Sequence, residues 1–361
     1  MKKTPSAIPK NIIRLLAIIT LICLALSSCG GPAASGVYDG IYITGSDAEM
    51  TGQMTAMDTF MTVSVRGGGV TADELRHCME LVPDIESRLS VTLPGSEISA
   101  VNAAKGKTTA VSDMTRDIIS RSLEMSAMTD GAFDITAYPI VRAWGFTAGE
   151  YRVPGEDEIE SLLGLIGWEK LSLDDGGVTL PEGSMIDLGA IAKGYAGDVL
   201  RDALADAGAV SALLSLGGNI VCLGSKPDGS KWRVAIRDPQ DLSSYIGYVD
   251  VCDTSVVTSG GYERQFTGDD GKTYWHIIDP STGYPARSGV ISSTVISEDG
   301  AMADALSTAL FVMGVEKAAE LRRGYDSFEY ILVTDDGGLV VSEGISHAFT
   351  PYGEREVTVS R

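Results

Sequence analysis

Three stretches of the chain combine residue types and spacings that can do chemistry. In ADALSTALFVMG, residues 303–314, Asp304 and Thr308 stand four apart, so a helix would put a carboxylate and a hydroxyl on one face. Hard oxygen ligands of that kind suit Mg²⁺, which keeps several waters and shares substrate phosphates. Taken alone, the pair is equally an aspartate serving the helix macrodipole and a threonine in a polar seam. In IDLGAIAKGYAGD, residues 186–198, Gly189 and Gly194 flank Lys193 at the start of an apolar-periodic helix that runs to about Ala207. Glycines there let a ligand approach backbone amides of partial positive charge, and Lys193 can then meet a phosphate. No Walker spacing or GxGxxG accompanies them, and an ordinary turn into an Ala-rich helix has the same composition. In WHIIDPSTGYPA, residues 275–286, a strand-like run ends in a series of turn formers. His276 within that run is either a proton acceptor near neutral pH or a satisfied structural histidine.

Weaker signals accompany these. Glycine pairs follow strand-like runs at Gly217-Gly218 in SLGGN and at Gly260-Gly261 in TSGGYERQF, where they permit close approach of a flat or phosphorylated ligand or simply make turns. The segment TDGAFDITAYPIVRAWGF, residues 129–146, mixes acidic turn residues with aromatics and has no simple period, as a binding loop would.

The elements that must position these groups alternate between two periods. Leu75, Met79, Val82, Ile85 and Leu89 recur at helical spacing within 71–89, and 112–128 behaves similarly. Strand-like runs cover 210–216, 232–236, 245–251, 274–278, 292–296 and 330–334. Several follow one another through short Gly, Asp and Pro turns, which predicts an α+β fold with largely antiparallel pairing and flanking helices in place of a doubly wound sheet. No internal repeat is present.

The N-terminus carries Lys2, Lys3, Lys10 and Arg14 before an apolar run from Leu15 to Leu26 and then Ser27-Ser28-Cys29-Gly30. That order is a basic region, a hydrophobic region and a small-residue cleavage site. Twelve residues make roughly 18 Å of helix, short of the roughly 30 Å hydrocarbon core, so a cleaved signal over 1–28 is expected and a permanent span is not. Leu-Ser-Ser-Cys resembles the lipobox of bacterial lipoproteins, which implies lipid on Cys29 and a location outside the cytoplasm, either periplasmic or at the cell surface. Residues 29–50, rich in Gly, Ala, Ser and Asp, are expected to form a flexible tether, leaving 51–361 as the folded domain. Beyond residue 28 the chain holds 24 Lys plus Arg against 49 Asp plus Glu, a formal charge of −25. Such an acidic body is repelled by phosphate backbones, so nucleic acid is a poor partner, and a phosphorylated ligand would need a local cation, a lysine or backbone amides. Cys78, Cys222 and Cys252 have no close pairing, and the chain has three histidines, which disfavours thiolate and histidine-rich metal sites.

In order along residues 51–346, the segments MDTFMTVSV, SEISAVN, DGAFDITAYPIVRAWGF, IDLGAIAKGYA, SLGGN, TSGGYERQF, HIIDPSTGYPA and ADALSTALFVMG together resemble the ApbE-like FAD:protein FMN transferases. The resemblance implies a single large T-fold-like catalytic domain that transfers FMN from FAD to a Thr or Ser hydroxyl of an exported or membrane redox protein, releasing AMP. It implies that Met57, Ala132, Phe133, Asp134, Asp187, Lys193 and Ile278 contact FAD. It further implies that the Ala190 carbonyl, Asp304 and Thr308 hold Mg²⁺, and that His276 is the proton acceptor. Subunits of sodium-pumping NQR-type or Rnf-type electron-transfer complexes are the implied acceptors. Asp58 stands where the family commonly has Gly, and Thr92 where an aromatic or Asn is frequent. A Mg²⁺-dependent FAD pyrophosphatase and a non-enzymatic flavin-binding lipoprotein remain the alternatives. The S/T-G-A-T acceptor signature of the family is absent from the chain itself.

Overall fold

Burial alternates along Glu49–Ala56 and Thr59–Arg66, as it must when one face of a hairpin covers a core and the other does not. Their register pairs Ala56 with Thr59, so the turn is the two residues Met57 and Asp58, both at positive φ of 49° and 58°. That is a type I′ turn, whose twist matches the flanking strands. A computed structural model describes residues 40–46 and 48–361. The expected signal peptide and Cys29 lie outside the described residues.

Ten strands form one sheet in the same order as in the chain: Tyr42–Ser46, Glu49–Ala56, Thr59–Arg66, Ala212–Leu216, Asn219–Leu223, Thr254–Gly260, Val290–Ser297, Glu329–Thr334, Leu339–Ser342 and Val357–Ser360. Every neighbouring pair is antiparallel except the last, which is parallel. Adjacent residues of one strand serve opposite faces: Val257 belongs to the core under the helices, Val256 to the core against a second sheet. The helices Ala72–Leu89, Ala192–Asp206 and Gly300–Gly324 cover the first face, and the three-stranded sheet of Phe349–Pro351, Tyr245–Val251 and Trp232–Arg237 covers the other. This is the α+β class with largely antiparallel sheets that the segment pattern predicts.

Local chemistry explains the element ends. Ala72–Leu89 starts at a capping box, with the Glu74 N–H donating to Thr71 Oγ1 at 3.3 Å and the Thr71 N–H donating to Glu74 Oε2 at 2.7 Å. Asp113–Met128 is capped by Ser112. Two boundaries differ from expectation. Tyr42–Ser46 is an edge strand paired with Glu49–Ala56, so the tether expected over 29–50 gives way to sheet by Tyr42. Its mostly exposed side chains carry no clear alternation, which hides it from pattern reading. The run expected as strand over 274–278 is strand only over Thr273–Trp275, and His276 sits one residue beyond it. Among the described residues no helix is long and apolar enough to cross a membrane, and Cys78, Cys222 and Cys252 are free thiols.

Candidate active site

The polar end of the site is made where two helices cross at glycines. A Cβ on Gly194 would lie 2.1 Å from the Gly300 carbonyl oxygen and 2.7 Å from Asp304 Cβ, so only glycine admits the approach of Gly300–Gly324 to the start of Ala192–Asp206. Each helix start receives a carboxylate from the other helix. Asp304 Oδ2 accepts the Gly194 N–H at 2.9 Å, and Asp198 accepts the N–H groups of Gly300 and Ala301, both at 2.9 Å. These are charge-assisted bonds to otherwise orphaned helix amides. Burial still pushes Asp198 up to about 6, against those two amides and the nearby Arg201.

Lys193 projects from the first turn of Ala192–Asp206, half-buried. Thr308 lies one helical turn beyond Asp304, and its Oγ1 is 3.3 Å from Ser259 Oγ, which ties it to the strand Thr254–Gly260. Asp304, Thr308 and a backbone carbonyl such as that of Ala190 are a hard oxygen set. Among the described residues there is no group of three or more His, Cys, Asp or Glu side chains able to hold a metal ion. A cation held by such a set would complete its shell with water and substrate oxygens.

The apolar end comes from the 129–146 segment. Asp134 caps a 3₁₀ turn at Ile135–Ala137, its Oδ1 accepting from the Thr136 N–H at 2.8 Å and its Oδ2 from the Trp168 N–H at 3.0 Å. Trp144, fully buried, donates its indole N–H to the Gly283 carbonyl at 2.9 Å and so joins this segment to the Asp279–Tyr284 turn. That turn is closed by the Gly283 N–H on the Asp279 carbonyl at 2.8 Å, and Asp279 Oδ1 accepts from the Ser281 N–H at 2.8 Å.

His276 is fixed to the backbone of Arg264. Its backbone N–H donates to the Arg264 carbonyl at 3.1 Å, and its Nδ1 is 3.3 Å from the same oxygen. That second contact requires the proton on Nδ1, which leaves Nε2 as a free acceptor. Burial pulls the imidazole down to about 4. The bond to the Arg264 carbonyl opposes that fall, and the charges of Arg264 and Lys193 add to it. Burial also raises Asp187, partly offset by the Gly189 N–H at 2.9 Å and by the charges of Arg264 and Lys193.

All eleven candidate residues of the domain, Met57, Ala132, Phe133, Asp134, Asp187, Ala190, Lys193, His276, Ile278, Asp304 and Thr308, line a single cavity of about 550 Å³. Asp58 and Thr92 line it too. At Asp58 the left-handed backbone explains how aspartate replaces glycine, since Asp is among the few residues that tolerate it. Arg264 and Asn219 are two of the wall residues not singled out in the sequence. They belong to TSGGYERQF and SLGGN, which draw attention through their glycines. Neither Lys193 nor Arg264 closes a contact ion pair with a described carboxylate, so both positive charges stay available to a ligand anion.

Fold and cavity bring the two helix starts with Lys193 and Asp304 together with the aromatic Phe133, Tyr138 and Phe146 around one space of about 550 Å³. Residues 57–332 match the ApbE family. A FAD:protein FMN transferase of Vibrio cholerae is 32% identical over 278 residues, 75% of this chain and 82% of that protein. One from Treponema pallidum is 32% identical over 348 residues, 91% of this chain and 93% of that protein. Among solved structures, the ApbE protein of Thermotoga maritima superposes with a TM-score of 0.77 at 32% identity, covering 88% of this chain and all of that one. The chain belongs to the ApbE family.

Proposed function

We propose that this chain is a Mg²⁺-dependent FAD:protein FMN transferase, moving FMN from FAD to a Thr or Ser hydroxyl of an exported or membrane redox protein and releasing AMP. The observation that carries this reading is the meeting of Lys193, His276 and the Asp304–Thr308 pair, distant from one another in sequence, in the lining of one cavity. In this reading the flavin ring takes the apolar end near Phe133 and Ile278, and the diphosphate faces Lys193 and Arg264. The acceptor oxygen forms a new bond to the FMN phosphorus as the bond to the AMP oxygen breaks. His276 Nε2 takes the hydroxyl proton, a role worth about 10² to 10⁴ in rate. An imidazole held near pKa 4 is the free base at neutral pH, ready for that step. Asp304, Thr308 and the Ala190 carbonyl would hold magnesium, which supplies positive charge to the phosphate oxygens.

Lipid on Cys29 would anchor the protein at a membrane facing away from the cytoplasm, beside acceptors such as Rnf-type or NQR-type subunits. A FAD pyrophosphatase would use the same groups with water as acceptor, whereas a flavin-binding lipoprotein has no use for a base.

The test is to incubate the chain with FAD, Mg²⁺ and a domain bearing an S/T-G-A-T site, following AMP release and the intact mass of the acceptor. One added FMN per acceptor in step with AMP supports transfer. AMP with free FMN and unmodified acceptor supports the pyrophosphatase, and no AMP at all contradicts both enzymatic readings.

A further inference from the structure

Eight buried side-chain nitrogen or oxygen atoms among the described residues lack a hydrogen-bond partner. Of the residues that carry them, Asn219 alone lines the cavity, and it is 3% exposed. Burying an amide nitrogen without a partner costs folding free energy, so an unpaired one on a residue of the cavity wall points to a ligand.

The strand register fixes which end of the cavity Asn219 serves. It follows the Gly217-Gly218 turn, paired with Leu216, and shares its sheet face with Val221, which belongs to the core under the helices. On its other side Ile220 pairs with Val256, so continuing that register sets Val257 beside Asn219 and Ser259 two residues along on the same face. Ser259 is the residue that touches Thr308. Asn219 therefore stands one strand away from the Thr308 contact, at the polar end and on the side of Lys193 and Asp304.

We infer that Asn219 is a substrate-binding residue that donates its side-chain N–H to a phosphate oxygen of a diphosphate-linked nucleotide. The inference rests on the flavin-nucleotide reading of the cavity. A neutral donor suits this position. A Lys or Arg there would bring a second full charge into the same wall as the groups proposed to hold the cation, whereas a carboxamide donates a hydrogen bond without one.

The test uses Asn219→Leu, which keeps the branching and heavy-atom count of asparagine and lacks the donor, and Asn219→Ala, which lacks the donor and adds no charge. Calorimetric titration of the full chain with FAD and with ADP reads affinity, and thermal melting of the flavin-free protein reads stability. The flavin-free Asn219→Leu protein is expected to melt no lower than the parent, since the amide has no protein partner to lose. Both variants are expected to bind FAD and ADP about 10- to 100-fold more weakly than the parent, the range for a hydrogen bond to a charged group. If the parent binds both nucleotides and the variants bind them within about twofold of it, the Asn219 assignment fails and the flavin reading stands. Weakening for FAD but not for ADP would move the donor to the flavin ring and overturn the phosphate assignment. A parent that binds neither nucleotide would overturn the flavin reading and this inference together. Should Asn219→Leu fail to fold, the Asn219→Ala titrations decide alone.

Discussion

Asp304 Oδ2 accepts the backbone N–H of Gly194 at 2.9 Å, across a helix crossing that only glycine at 194 admits. One contact thus ties the carboxylate proposed to hold a cation to the helix that carries Lys193. Since a Cβ at 194 would meet the Gly300 carbonyl oxygen at 2.1 Å, and backbone cannot rotate away, Gly194→Ala must part the helices. The expected result is a loss of about 1–3 kcal/mol in urea unfolding, typical of overpacking, together with Mg²⁺-dependent activity reduced by more than the stability change explains. An Ala variant of parental stability and activity would show that the crossing can relax.

Asp304 is a single carboxylate with one oxygen already engaged, so a cation held there as proposed would need substrate oxygens to complete its shell. Mg²⁺ and FAD are expected to bind with mutual reinforcement, each tightening the other by about 5- to 150-fold. Titration of Mg²⁺ into the chain with and without FAD measures this, and equal affinity in both would contradict it.

The low pKa of His276 sets a pH dependence. Protonation at about 4 removes the acceptor lone pair, so activity that needs the free base is lost as pH falls through about 4 and persists above it. The acid limb of the kcat/KM profile, which reports the free enzyme, is expected near pH 4 and well below the ordinary histidine value of about 6.5. A limb at the ordinary value would mean that the imidazole is better solvated than its half-buried place suggests.

Arg264 faces the cavity with its charge uncompensated by any contact ion pair among the described residues. Arg264→Ala is expected to weaken FAD binding by about 10- to 100-fold, with little effect on folding, because the residue is exposed. Fluorescence titration with FAD reads the first effect and thermal melting the second. The substitution also removes a charge that lowers His276, so the acid limb should move upward.

Much of this was legible in the sequence where a local rule governs. The strand over 245–251 has the expected bounds, and the helix expected over 71–89 is Ala72–Leu89 with Thr71 as its cap, because alternation in one and a capping box with periodic apolar residues in the other are written in neighbouring positions. Candidate site residues from Met57 to Thr308 meet at one cavity, although their sequence separation gave no geometry. Tyr42–Ser46 escaped because an edge strand with exposed side chains needs only backbone pairing. Arg264 and Asn219 escaped for another reason. What marks them is a missing partner in three dimensions, which no spacing records.

The most direct test of the account separates binding from chemistry at His276. With the FAD affinity of His276→Ala measured first, a single-turnover reaction with Mg²⁺ and an S/T-G-A-T acceptor is followed by intact mass. The account expects FAD affinity within about threefold of the parent and a transfer rate lower by about 10² to 10⁴. Transfer at the parental rate would show that the cavity holds the flavin nucleotide without His276 acting as its base.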